Sequence, residues 1–560
     1  MVRFPSRDEG YKRTLGHIES ILGFKKPNAF RGTLHESSFL VSMIILRKLS
    51  FPGMDSREGG IAEAYPETCS WVLERDIGRN DSELEDDDDE LGDDVVSAAS
   101  SQFLTWLQND ETFFWISGKA GCGKSTLMKY VYHDERTKVA LQNSEWARSK
   151  DVILVGHFLL ERGNEDQKSR EGMLRSILHQ VLGTRRELIP IVFSQWHFFE
   201  ENHLHEKRLL EQEIPAEFLD WANLKNAFTS TLDQLQESRI CLFLDGLDEY
   251  RMVKRINEYT EEQLDLIYDG DNEDEAWGRS TWITDGHKEI ADLLHNLKIR
   301  GNVKICLSSR ELNVFEQEFR DFPRISVHKH TTQSIARYCS GRLTEKTPDL
   351  IDLPEFVSTI TKRSCGVFLW VRLIVDMLVD GYTDGNSKEE LIKTLNGLPQ
   401  RLGGKDGLYS LMMRNIKHEY LPESKRLFQL ALRWSQTHSD HSHDQPDIIT
   451  LFRAEQGHYE KGSDAKLRAE GEKYEPKTWE KLEPTWEELS RRLKSRCAGL
   501  LEQTRPVEFM HQTAKQFLSR KYIWDEMFQT SVGFATASDI ELAIMNGCIR
   551  RLKCCAEAII

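Results

Sequence analysis

Between Phe113 and Val131 a short apolar run passes directly into Gly118-Lys119-Ala120-Gly121-Cys122-Gly123-Lys124-Ser125-Thr126 and then into a helix-like pattern. Residues of these types at this spacing bind phosphate. Gly118, Gly121 and Gly123 carry no Cβ, so the backbone N–H groups of the loop can wrap a β-phosphate while the following helix offers its positive N-terminal end. Lys124 reaches the β- and γ-phosphates, and the Ser125 hydroxyl serves as a ligand of Mg²⁺, with Thr126 beginning the packing of the helix. An ordinary glycine-rich turn is the plainer alternative. The strand Phe113 to Ile116 before the loop and the amphipathic Leu127, Met128 and Val131 after it favour the phosphate cradle.

A cradle of this kind needs a carboxylate at the end of a second strand, and Ile240 to Tyr250 (ICLFLDGLDEY) supplies a continuous apolar run that ends in acids. Asp245 is placed to take part in Mg²⁺ binding through its water shell, and Asp248 or Glu249 can orient a hydrolytic water. A third run, Val303 to Ser308, ends in Ser309 and Arg310. Arginine at the carboxyl end of a strand can read a γ-phosphate; the alternative is a surface arginine.

These residues require a sheet to hold them. Strand-like runs at Phe113, Val152, Ile240 and Val303 alternate with helical segments, which predicts an α/β core at 97–330, a parallel sheet with crossover helices. Upstream lie a short segment at 1–50 with a helix around Leu34 to Leu49, and a linker at 51–96. The linker reads as a helix from Phe51 to Asp76 and then as the acidic run Asp81 to Asp94, whose self-repulsion predicts solvated disorder. A second acidic stretch, Asn257 to Trp277, reads as a loop on the sheet's rim. Downstream, apolar spacing predicts a small helical domain at 331–397, a helical and winged-helix-like domain at 398–530 and a helical segment at 531–560. Arg453 to Glu488 reads mostly as loop. Gly499 to Glu502 and Val507 to Met510 read as a hairpin followed by a helix from Thr513, the ending of a winged helix.

With DGLDE, WISGKAGCGKSTLMKY and SSR in place, the chain resembles the NACHT class of STAND P-loop NTPases and, more narrowly, fungal NLR-like proteins with a nephrocystin-type P-loop domain. Phe51 to Glu74, Gly156 to Leu182, Gly366 to Val375 and Val507 to Leu518 are similar to further phrases of that family, so the resemblance covers most of Leu49 to Lys553. Glu311 departs from it, standing where the family has proline. The resemblance implies a signalling switch that binds ATP or GTP with Mg²⁺, rests with ADP or GDP, hydrolyses slowly and self-assembles when opened, in the cytoplasm, in responses of the fungal immunity or heterokaryon-incompatibility kind. Met510-His511-Gln512 resembles the family's Met-His-Asp motif, which implies that His511 touches the β-phosphate of the diphosphate; a core histidine is the alternative. Gly366 to Trp370 occupies the place of a base-contacting Gly-Leu-Pro motif, but it lacks the proline, and core packing is favoured.

The whole-chain numbers agree with a soluble globular protein. At 560 residues, 39% hydrophobic and 29% charged, the chain has room for about three or four domains. A net charge of -17 argues against broad affinity for nucleic acid or anionic membrane. The 10 cysteines show no C-x-x-C spacing, which fits a reducing compartment. No apolar core of a signal peptide opens the sequence, and Phe39 to Leu46 and Val367 to Val375 are too short to span a bilayer. His438, His441 and His443 read as a polar loop before they read as a metal site. There is no internal repeat of about 20 to 50 residues. Two other functional classes stay open: a fast-turnover NTPase or P-loop kinase, and a truncated adaptor that binds nucleotide without signalling of its own; protein signalling partners are unspecified.

Overall fold

The four apolar runs become strands of one parallel sheet in the computed structural model, which describes residues 36–74, 90–160, 163–193, 219–250, 281–297, 300–348, 353–437, 446–456, 485–503, 507–529 and 531–557. They are β1 Phe113–Ser117, β2 Asp151–Phe158, β3 Ser238–Asp245 and β4 Val303–Ser309; β5, Arg324–Ser326, is too short to stand out in the sequence. The order is β2-β3-β4-β1-β5, with every neighbouring pair parallel. Parallel neighbours need crossover helices on both faces, which keeps both faces dry and explains why the strands read as unbroken apolar runs. Successive side chains point to opposite faces. Phe113 and Trp115 accordingly join a core with the helices Arg170–Thr184, Trp221–Gln234 and Thr281–His295, while Phe114 and Ile116 join another with Glu90–Gln108 and Lys124–His133.

A lysine is buried inside this sheet. Lys304 on β4 donates from Nζ to the carbonyls of Trp106 at 2.6 Å and Glu111 at 2.8 Å, and its ammonium lies over the Trp106 ring. Burial pulls its pKa down to about 8.

The connection leaving β1 crosses over β4 and β3 to reach β2 at the sheet's edge, so the carboxyl ends of β1, β4 and β3 stand side by side. In open parallel sheets this is where ligands bind.

The upstream segment differs from its expected form. Of the expected helix Phe51 to Asp76, the described part to Glu74 is not one helix: a single turn at Ser56–Gly60 and a 3-10 turn at Ser70–Leu73 are joined by irregular chain, because Pro52, Gly53, Gly59, Gly60 and Pro66 interrupt it. It also does more than lead into the core. Ile61, Cys69, Val72 and Leu73 pack into the core on one face of the sheet. The acidic run is shorter than it reads, since Glu90 to Asp94 already belong to the helix Glu90–Gln108. The rest of that run, and Asn257 to Trp277, lie outside the described residues.

Beyond Thr331 the described residues are mainly helical, and one continuous apolar cluster extends from Ile335 to Ile544 across the stretches 331–397, 398–530 and 531–560. The hairpin appears as β6 Leu501–Gln503 and β7 Val507–Phe509, antiparallel with Leu501 opposite Phe509, followed by the helix Gln512–Leu518. Both ends of the expected loop Arg453 to Glu488 are helical instead, in Ile448–Gln456 and Trp486–Cys497. At the second, Thr485 and Glu488 form a capping box that the composition of the stretch obscures. Among the described residues no helix is long and apolar enough to cross a membrane.

Candidate functional site

The glycine loop follows β1 and ends at the helix Lys124–His133, with Gly118, Gly121 and Gly123 all at positive φ. Lys124 folds back over the loop, donating from Nζ to the carbonyls of Gly118 and Lys119, each at 2.9 Å. Gly121 is needed for a second reason: a Cβ there would lie 2.8 Å from Leu369 Cβ, and Leu369 N donates to Gly121 O at 2.9 Å. The loop is thereby tied to the helical half. Lys119 adds a bond from Nζ to Cys365 O at 3.2 Å. Cys122 is buried, and burial pushes its thiol pKa up.

On the acidic side Asp245 is fully buried. Its Oδ1 accepts from Ser308 Oγ at 2.5 Å, and the same Ser308 oxygen accepts from Gly246 N at 2.9 Å; Oδ2 is buried with no hydrogen-bond partner. Burial raises the Asp245 pKa, opposed by the charge of Arg57, by the Ser308 and Ser125 hydroxyls and by Lys124. An orphaned carboxylate oxygen near a serine hydroxyl fits a divalent cation that also takes phosphate oxygens. Mg²⁺ typically binds through one or two protein ligands of this kind. Among the described residues there is no cluster of three or more His, Cys, Asp or Glu that could hold a metal ion. The histidines at 438, 441 and 443 lie outside the described residues.

Asp248 and Arg310 form a buried ion pair. Arg310 donates from Nε to Asp248 Oδ2 at 2.6 Å and from its backbone N to Oδ1 at 3.0 Å. Burial would raise the Asp248 pKa, but the charges of Arg310 and Lys124 and the bonds from Arg310 more than offset it and hold the carboxyl at about 2. Arg310 is 6% exposed, so it is not a surface arginine. Glu249, on the turn Leu247–Glu249, faces the cavity with Arg57 Nη2 3.9 Å from its Oε1. Glu311, in the place of the family's proline, ties strand ends together, since its Oε1 accepts from Ser117 Oγ at 2.8 Å and Ser326 Oγ at 2.9 Å and so joins the ends of β1, β4 and β5.

These elements enclose a cavity of about 1180 Å³. Ala120 to Thr126, Asp248, Glu249, Arg310 and His511 all line it. Asp245 stands behind the lining residue Ser308, and Gly118 and Lys119 lie beneath Lys124. The segment Gly366 to Trp370 serves two purposes. Trp370 is fully buried and donates from Nε1 to Pro399 O at 2.7 Å, while Phe368 and Leu369 line the cavity. Gly366, at φ 79°, allows the approach, since a Cβ there would sit 2.0 Å from His328 O. His511 is the N-cap of the helix Gln512–Leu518: its Nδ1 accepts from Thr513 N at 3.2 Å and bonds Thr513 Oγ1 at 2.9 Å. Its ring is therefore oriented by the cap. Among the lining residues that reading the sequence missed is Arg57, because the segment carrying it resembled a plain lead-in helix.

Two family models match parts of the chain. A family model described as "Nephrocystin 3, N-terminal" matches residues 97–269, spanning the glycine loop and the acidic turn. Residues 97–269 are thus similar to a nephrocystin-3 N-terminal domain. A second model, described as a "Domain of unknown function (DUF7791)", matches residues 415–556, which include the hairpin and His511. No curated protein matches the chain.

Proposed function

We propose that this protein is a nucleotide-dependent signalling switch of the NACHT and STAND class, taking ATP or GTP with Mg²⁺ and returning slowly to a diphosphate-bound resting form. The observation that carries the reading is the shared cavity: the loop from Ala120 to Thr126, the acidic turn, Arg310, the Phe368–Leu369 edge of the helical half and His511 of the winged helix all line one space. The loop N–H groups and Lys124 would hold the phosphates, and Ser125 with Asp245 would hold Mg²⁺, which supplies charge neutralisation between the β- and γ-oxygens. Asp248 is committed to Arg310, which leaves Glu249 to orient the hydrolytic water. His511 would contact the diphosphate from the winged helix and favour the closed arrangement. Exchange for triphosphate would release that contact and open a surface for self-assembly. Such a switch needs different affinities in its two forms, because a nucleotide bound equally by both shifts nothing.

The test is the identity of the nucleotide released when the purified protein is denatured. Bound ADP or GDP supports a resting switch; no bound nucleotide, with no stabilisation by added nucleotide, removes the reading. A fast-turnover NTPase or kinase differs in its steady-state rate, and an adaptor differs in binding partners regardless of nucleotide.

A further inference from the structure

Arg57 brings a cation to the cavity from outside the nephrocystin-type domain, which begins at residue 97. It lies in the single turn Ser56–Gly60, and its guanidinium reaches the sheet edge, with Nη2 3.5 Å from Ser125 Oγ and 3.9 Å from Glu249 Oε1. The side chain is 14% exposed, and Nε is buried with no hydrogen-bond partner. An arginine held this far from solvent with an unused donor points to a ligand carrying negative charge.

The segment that carries it is fastened from two sides. From the core, Asn164 Nδ2 donates to Pro52 O at 2.8 Å, Gln167 Nε2 donates to Gly53 O and Ser56 Oγ at 2.8 Å each, and Lys129 Nζ donates to Ile61 O at 2.9 Å. From the helical half, Ser334 Oγ donates to Thr68 O at 2.7 Å, and the rings of Tyr65 and Tyr338 meet edge-on at 5.2 Å. The guanidinium is delivered to one place.

That place is bracketed by two residues with distinct roles in the proposed nucleotide site, on which this inference rests. In that reading Ser125 would help to hold Mg²⁺ beside the phosphates, and Glu249 would orient the water that attacks the terminal phosphate. The group between them is the terminal phosphate of a triphosphate. We propose that Arg57 contacts this terminal phosphate, so that residues 51–73 form part of the nucleotide site and distinguish triphosphate from diphosphate. Arg310 is less suited to that contact because its Nε is engaged by Asp248. The planar fork of a guanidinium matches phosphate oxygens in a way that a lysine ammonium does not.

The experiment uses the full chain with Mg²⁺, titrating the non-hydrolysable triphosphate analogues and the diphosphates of adenosine and guanosine into wild type, Arg57→Gln and Arg57→Lys. Arg57→Gln is expected to weaken triphosphate binding about 10- to 100-fold, the range for hydrogen bonds to charged groups, and to leave diphosphate binding within about twofold. Arg57→Lys should fall between, since it keeps the charge and loses the fork. Equal weakening of both nucleotides, or of neither, overturns the proposal and makes Arg57 a fastening residue only. Ligand-free melting temperatures of the variants separate loss of folding from loss of contact, and if Arg57→Gln melts early, Arg57→Lys against wild type decides. Wild type that binds no nucleotide overturns the parent reading as well, whereas wild-type binding with an unchanged split overturns this one alone.

Discussion

The two rims of the cavity are built on different principles. On the sheet side, the loop from Gly118 to Thr126, Asp245, Asp248, Glu249 and Arg310 all sit at the ends of β1, β3 and β4, each held by the strand it follows and by neighbours one or two strands away. On the facing side, Arg57, Leu369 and His511 come from three separate parts of the chain and are held by packing and capping. The sheet rim is suited to gripping phosphate, which every nucleotide state offers. In the proposed switch the facing rim would tell states apart, because its contacts are the ones that differ between nucleotides or between arrangements of the chain.

The sharpest way to break this division is to remove the ion pair that stiffens the sheet rim. Asp248→Ala takes the carboxylate from a buried guanidinium and is expected to cost about 3 to 5 kcal/mol of unfolding free energy, measured as a shift in chemical denaturation midpoint. A loss under about 1 kcal/mol, the range of exposed pairs, would show that the pair behaves as a surface one.

Lys124→Ala tests the grip itself. Saturating nucleotide at about a hundred times the dissociation constant adds roughly 2.7 kcal/mol to a binding protein, so nucleotide should raise the melting temperature of wild type and not of Lys124→Ala. An equal rise in both would remove the phosphate-binding role of the loop.

Acid provides a smaller and graded test. The Asp248 carboxyl is held at about 2, below its ordinary value of 3.8, so its contribution is present in full above about pH 4 and is lost as pH falls through about 2. That step is worth roughly 2 kcal/mol. Asp245, whose pKa is raised, acts in the opposite sense, since its protonation favours the folded form. Stability measured from pH 5 to pH 2 should show the Asp248 step in wild type and lack it in Asp248→Asn; identical profiles would mean that the acid limb comes from other carboxylates.

On the facing rim, His511→Asn keeps an N-cap acceptor while withdrawing the imidazole, so helix stability should change by only about 1 kcal/mol or less. The informative quantity is the ratio of di- to triphosphate dissociation constants. If diphosphate affinity alone falls, the facing rim reads nucleotide state; an unchanged ratio returns His511 to a capping role and leaves Arg57 as the discriminating group.

Much of the sheet rim was legible along the chain. A glycine loop between an apolar strand and an amphipathic helix, and an apolar strand ending in Asp-Gly-Leu-Asp-Glu, specify their own backbone through local geometry, so Lys124, Ser125 and Asp245 could be placed at the strand ends from the sequence. The hairpin before His511 was legible for the same reason. The short β5 was not, because three residues carry too little pattern, and Phe51 to Asp76 was misread because apolar spacing alone does not show that Pro52, Gly53, Gly59, Gly60 and Pro66 break the helix into turns laid across the core. Which carboxylate pairs with Arg310, which edge of Gly366 to Trp370 faces the loop, and the arrival of Arg57 beside Ser125 were decided by tertiary structure. Strand ends and tight loops are governed by residues a few positions apart, whereas these pairings depend on where distant segments come to rest on the sheet, and that depends on the packing of the whole core.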